Sequence, residues 1–131
     1  MHRISLKGVA IGNITDIVAT YVVMLPLMIY FAASSGLPPD RILKESTVLY
    51  ASFAILGGAC SVLGGYVSAR IAKHDELLNG ALSSILCVGS GIYALISGSA
   101  ADDLWMHLAF LPLSPALGAL GGYLRSRQGW R

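Results

Sequence analysis

Charged residues are scarce in this sequence. Only 12% of its 131 residues are charged, and 55% are hydrophobic, whereas ordinary soluble domains have about 25% charged and about 45–50% apolar residues. The core of a soluble domain of this length is too small to bury so large a share of apolar residues. The lack of charge therefore argues against a soluble domain and predicts an integral membrane protein, with the lipid bilayer as its main partner.

Cysteines and recognisable catalytic patterns are also few. The two cysteines, Cys60 and Cys87, fall inside apolar runs without metal-ligand spacing, so each is expected to be a small buried residue rather than a disulfide partner or a ligand. No Ser/His/Asp set, Cys/His set or phosphate loop can be assembled. His107 is interpreted as an interfacial histidine, with a proton relay as the alternative. No enzyme activity, cofactor or metal site is expected.

Four apolar runs dominate what is present. Crossing the hydrocarbon layer takes about 20 mostly apolar residues, and the runs cover residues 8–31, 47–69, 77–98 and 104–124. We expect an all-α fold, a four-helix transmembrane bundle that forms one domain over residues 1–131. A cleaved signal is the alternative for the first run, but this run exceeds the roughly 7–15 residues of a signal core and contains Asp16.

The basic residues predict the orientation of these spans, because positive loops stay on the cytoplasmic side. Only Arg41 and Lys44 lie on one predicted side of the membrane. The other side holds Arg3, Lys7, Arg70, Lys73, Arg125, Arg127 and Arg131. Both termini are therefore expected in the cytoplasm. The basic residues form no stripe with interleaved aromatics, so nucleic-acid binding is not expected.

An internal repeat links the second and fourth spans. Leu63–Arg70 and Leu120–Arg127 are identical at five of eight positions, beginning with Leu-Gly-Gly-Tyr and ending with Arg. Both copies end a span on the same predicted side. The repeat predicts two helical hairpins in parallel orientation, related by an axis along the membrane normal.

Small residues recur at helical spacing in the spans. Gly58 and Gly65 lie in the second span, and Gly118 and Gly122 lie in the fourth. In lipid, helices associate where small residues allow their backbones to approach. We expect these glycines to pack helices within the bundle and against a second copy, giving a homo-oligomer; lining a substrate path is the alternative.

The sequence pattern at the end of the second span resembles that of other proteins. Gly64-Gly65-Tyr66 is followed by Arg70 and, after a short polar link, by Leu78–Leu82. This Gly-Gly-aromatic-x-x-x-Arg pattern resembles small four-helix bacterial membrane proteins whose function is uncharacterised. The resemblance implies a bacterial inner membrane and no particular activity.

Asp16 is the one acid deep inside a predicted span. At about 1.5 Å per residue it lies roughly 12 Å beyond Gly8, near the middle of a hydrocarbon layer about 30 Å thick. Thr20 shares its helix face, and Asn13 is adjacent. In the functional interpretation Asp16 exchanges a proton against a cation or a conformational change. In the structural interpretation it hydrogen-bonds to Asn13, Thr20 or another helix, or pairs with Arg70.

The segment Thr15–Thr20 also resembles the small multidrug resistance family, in which an acid of the first of four short helices binds protons and drugs. Here an aspartate stands where that family has a glutamate. The first loop is longer, the aromatic cage residues have no clear counterpart, and the glycine-rich ends of spans two and four are foreign to that family. The resemblance is an analogy for the role of Asp16.

Two functions are consistent with these patterns. The first is a non-enzymatic interaction or scaffold subunit that oligomerises through glycine-rich helix faces. The alternative is a proton-coupled transporter or channel for a small molecule or ion that uses Asp16. The two differ in whether Asp16 faces a wet cavity or a sealed helix contact.

Overall fold

The computed structural model describes residues 4–36, 41, 47–98 and 104–128. Within these ranges the chain forms helices and no strands. The helices are α1 Leu6–Ser35, α2 Thr47–Ala72, α3 Glu76–Leu82, α4 Ile85–Ile96 and α5 Leu104–Gln128. The expected all-α fold is therefore confirmed for the described part of the chain.

The first helix has well-defined ends. The Ser5 hydroxyl accepts a hydrogen bond from the Gly8 amide at 3.1 Å, which satisfies one of the amides that a helix start leaves unpaired. At the other end Gly36 adopts a left-handed conformation, with φ of 65°, and its amide donates to Ala32. The helix continues through Pro26. α1 is thus longer than the predicted apolar run at both ends.

Three helical segments are long and apolar enough to cross a membrane. They are α1, α2 and the combined segment from Glu76 to Ile96 that contains α3 and α4. α5 covers the fourth predicted run but is not among the three; it contains two prolines and ends with Arg125 and Arg127 in its last turn. Length and composition of the described helices therefore agree with a membrane protein.

The third predicted span differs from the expected continuous helix. It is interrupted at Ser83 and Ser84, both fully buried. The Ser84 amide bonds to Ala81, three residues back, and the Ser83 hydroxyl donates to the Gly80 carbonyl at 2.6 Å. Serine side chains that bond to nearby carbonyls compete with the regular helix pattern. These serine bonds accompany the turn between α3 and α4.

The helices pack in a defined order. α2 lies between α1 and α5, α3 packs on α5 and α2, and α4 packs mainly on α5. The predicted packing glycines lie at these contacts: Gly65 faces the Gly118 backbone, Gly122 faces the Glu76 backbone, and a Cβ on Gly58 would lie 3.2 Å from Leu117. All four glycines thus contact other helices of the same chain.

The repeated Gly-Gly pairs occupy different surroundings. Gly64 faces Gly12 and Asp16 of α1, whereas its counterpart Gly121 faces Val62 and Tyr66 of α2. The two copies of the sequence motif therefore do not make equivalent contacts. The parallel arrangement of two hairpins stays a prediction.

The α2–α5 contact leads to a prediction on stability. In Gly65→Ala the new methyl group would overlap the Gly118 carbonyl, so the variant should lose about 1–3 kcal/mol, the usual cost of overpacking. Thermal unfolding in mild detergent, followed by circular dichroism, should show a lower midpoint. Gly89→Ala is the matched control, since nothing lies within 4 Å of a Cβ there. Its midpoint should be unchanged or higher, and equal losses in both variants would contradict the close packing.

A candidate binding site around Asp16

Asp16 is buried at a close contact between α1 and α2. Its side chain is 2% exposed. A Cβ on Gly64 would lie 2.8 Å from the Asp16 Cβ and 2.9 Å from the Gly12 carbonyl oxygen. These distances leave no room for a side chain at position 64. Because Gly12 and Gly64 have no side chains, the α2 backbone can lie directly against Asp16.

Two side chains from other helices reach the Asp16 carboxylate. The Ser61 hydroxyl of α2 donates to it at 3.2 Å from Oδ2 and 3.4 Å from Oδ1. The Cys87 thiol of α4 donates to Oδ2 at 3.5 Å. A thiol is a weak donor, and both Ser61 distances exceed the usual range of about 2.5–3.0 Å for a hydroxyl donor. The buried carboxylate therefore has partners, but they are weak and uncharged.

The candidate residues of the sequence analysis separate in the structure. Thr20 lies one turn beyond Asp16 and lines the same cavity. Asn13 turns toward α3 and α4, where it bonds to backbone atoms. Arg70 is exposed and lies six residues beyond Gly64, about 9 Å along α2. The structure therefore does not form the Asp16–Arg70 pair that the structural interpretation allowed.

A cavity of about 400 Å³ lies between α1, α2, α4 and α5, with Asp16 in its wall. Most of the wall is apolar and includes the aromatic rings of Phe53 and Phe110. The polar contribution comes from Asp16, Thr20, Ser61, Cys87 and Ser114. No lining residue in the described part of the chain is basic. The cavity is thus an apolar chamber with one carboxyl group.

The sequence analysis missed the roles of Ser61 and Cys87. The sequence predicts Cys87 only as a small buried residue, and Ser61 is one of several small residues in the second span. Ser61 precedes Gly64 by three residues, so it lies on the same face of α2 toward Asp16. This spacing was the only signal for Ser61. Cys87 reaches Asp16 through the turn at Ser83 and Ser84, which the sequence pattern does not reveal.

Of the three histidines in the sequence, His74 has a described side chain, and it does not line the cavity. His74 is exposed in the turn between α2 and α3. The side chain of His107 lies outside the described residues, as do the Pro38-Pro39 loop and Asp102. Among the described residues no group of three or more His, Cys, Asp and Glu side chains could hold a metal ion.

Comparison with known proteins gives no match to a family model, to a curated protein or to a solved structure. Both resemblances noted in the sequence therefore remain expectations. The candidate function depends on the geometry around Asp16.

The cavity leads to a prediction on thiol access. Cys87 lines it, whereas Cys60 is buried and does not. N-ethylmaleimide should therefore modify Cys87 several-fold faster than Cys60, because access limits the reaction of a buried thiol. Intact-mass spectrometry of Cys60→Ala and Cys87→Ala in lipid nanodiscs measures each thiol alone. Equal or faster modification of Cys60 would contradict this cavity.

Proposed function

We propose that this chain is a multi-pass membrane protein that binds a small hydrophobic cation in the cavity and exchanges it for a proton at Asp16. The observation that carries this proposal is a carboxyl group, 2% exposed, in the wall of an apolar cavity without a basic residue among its described lining. This is the proton-coupled alternative of the sequence analysis.

The exchange follows from the cost of charge in this environment. A charged side chain in the middle of a bilayer costs at least about 2.5–3.5 kcal/mol on insertion scales. The groups that bond to Asp16 are the hydroxyls of Ser61 and Thr20 and the thiol of Cys87, and none of them cancels a negative charge. The carboxyl group would therefore hold either a proton or a bound cation. Because both occupy the same oxygens, binding of one releases the other.

The walls of the cavity favour an organic ligand. A volume of about 400 Å³ lies within the roughly 300–1,000 Å³ of small-molecule sites, which are mostly apolar with a few polar groups. Phe53 and Phe110 offer aromatic faces, which attract cations. An amphipathic molecule with one positive group suits this arrangement, whereas an anion would meet the carboxylate without a countercharge.

The orientation is part of the proposal. Four membrane crossings with both termini in the cytoplasm of a bacterium would place the turn after α2, with Lys73 and His74, on the cytoplasmic side. The basic residues of the sequence support this arrangement. Ser61, one of the polar residues of the cavity, then lies about three helical turns from that turn, since it precedes Lys73 by twelve residues.

The interaction-subunit hypothesis receives less support from the site. Its packing glycines, Gly58, Gly65, Gly118 and Gly122, contact helices of the same chain and therefore need no second copy. A homo-oligomer stays a prediction of the sequence.

The orientation can be tested in cells. Alkaline phosphatase, which is active only outside the cytoplasm, should be inactive when fused after Gln128 and active when fused after Gly36. Green fluorescent protein at the same two positions should give the opposite pattern. Activity of alkaline phosphatase after Gln128 would contradict an even number of crossings with a cytoplasmic N-terminus.

Ligand binding can be tested with tetrapropylammonium as a hydrophobic cation. Isothermal titration calorimetry in nanodiscs, run in two buffers of different ionisation enthalpy, should show binding with release of a proton. Asp16→Asn should release none and bind roughly 30-fold or more weakly, because loss of one partner of a buried charge pair costs about 2–5 kcal/mol.

Asp75→Asn is the matched control for this experiment. It makes the same chemical change in the turn before α3, where Asp75 has a φ of 42°, a conformation that asparagine tolerates. Binding and proton release should match those of the unaltered protein. Equal proton release from the Asp16→Asn variant would overturn the proposal, as would the absence of binding in the unaltered protein.

A further inference from the structure

The side chain of Asn13 occupies the gap between α3 and α4. Its Nδ2 donates to the Leu82 carbonyl at 3.4 Å, and its Oδ1 accepts from the Leu86 amide at 3.3 Å. The same Nδ2 donates to Val9 within α1 at 3.0 Å. Asn13 is 4% exposed. One carboxamide of α1 thus bonds to the last residue of α3 and to the second residue of α4.

These two partners would bond to each other in an uninterrupted helix. An amide donates to the carbonyl four residues back, so Leu86 would donate to Leu82. Here the carboxamide, which carries both a donor and an acceptor, lies between them and satisfies each. It replaces one backbone hydrogen bond by two hydrogen bonds to a side chain. The helix is opened at this position without leaving either group unpaired in the membrane.

The segment beyond the gap is bounded by non-helical residues at both ends. Ser83 and Ser84 precede α4, and Gly98 follows it with a φ of 75°. α4 packs mainly on α5. It also carries Cys87 and Gly91, which line the cavity. The angle between α3 and α4 therefore determines where this cavity wall stands.

We infer that Asn13 is a positioning residue: by inserting its carboxamide between Leu82 and Leu86 it sets the angle of α4 and so the width of the cavity beside Asp16. Loss of the carboxamide allows Leu86 to bond directly to Leu82, which straightens α3 and α4 into one helix. Straightening moves Cys87 and Gly91 relative to α1 and α2. This role does not depend on what the cavity binds.

The test measures the position of α4 without any ligand. Spin labels are placed on Ile55→Cys in α2 and Ile92→Cys in α4, both exposed positions, in a Cys60→Ala, Cys87→Ser background. Electron–electron double resonance in nanodiscs then gives their distance distribution. Asn13→Leu keeps the size of the side chain and removes its hydrogen bonds. Its distribution should shift or broaden by about 5 Å, the rise of one helical turn.

Thr15→Val is the matched control in the same helix. It removes the hydrogen bond from the Thr15 hydroxyl to the Ile11 carbonyl. This bond lies within α1 and does not involve α3 or α4. Its distance distribution should equal that of the labelled parent. An unchanged distribution in Asn13→Leu, or the same shift in both variants, would overturn the inference.

A second measurement needs no substitution, so it tests the contact between Asn13 and Leu86 even if the Asn13→Leu variant fails to fold. Ile85 and Leu86 both lie in the first turn of α4, where amides lack helical partners, and Asn13 accepts from Leu86. In the unaltered protein the Leu86 amide should exchange with deuterium several-fold more slowly than the Ile85 amide, as measured by NMR. Equal rates would refute the contact with Asn13. Neither result bears on binding of tetrapropylammonium, so the two proposals can fail separately.

Discussion

A buried polar group has no water to replace a lost partner, and the arrangement of these helices depends on that constraint. The polar residues of the bundle are distributed accordingly. Asn79 is fully buried; its Oδ1 accepts from the Ser5 amide at 2.8 Å, and its Nδ2 donates to the carbonyls of His74 and Asp75. One side chain thus joins the start of α1 to the turn between α2 and α3. In the same way, Asn13 joins α1 to the end of α3 and the start of α4. Two asparagines, Asn13 and Asn79, therefore hold α1 against α3 and α4.

The glycines make these polar contacts possible. A Cβ on Gly12 would lie 2.6 Å from the Ser68 Cβ, 2.8 Å from the Gly64 carbonyl oxygen and 2.9 Å from the Ser83 Cβ. With any side chain at position 12, α1 would stand further from α2 and α3. Asn13 could then not reach both Leu82 and Leu86, and Ser61 could not reach Asp16. Close backbone approach, which drives helix association in lipid, here also determines which polar side chains meet.

Local sequence patterns predicted the helices but not the way in which they interact. Apolar runs gave the approximate spans, and small residues at helical spacing indicated the contacts of Gly65 and Gly118. Asp16 was identified as a candidate site because a carboxyl group is costly to bury in an apolar span. The gap at Ser83 could not be predicted in the same way, because it needs Asn13 from a helix about seventy residues earlier in the chain. Cys87 was missed for the same reason: its approach to Asp16 depends on the angle of α4. Non-local hydrogen bonds leave no periodic signal in the sequence.

The contacts of Asp16 also bear on why an acid occupies this position. A structural role would be served as well by an asparagine, which fits the same space and carries no charge to desolvate. The structural interpretation allowed Asn13, Thr20, another helix or Arg70 as partners. Ser61 and Cys87 of other helices do bond to Asp16, whereas Asn13 is engaged with α3 and α4, and Arg70 is exposed. The groups that bond to Asp16, two hydroxyls and a thiol, are uncharged and do not offset the cost of an ionised carboxylate. The carboxyl group also faces a cavity large enough for a small molecule. An acid that is costly to bury, weakly held and next to open space is more consistent with exchange of a proton for a cation than with packing alone.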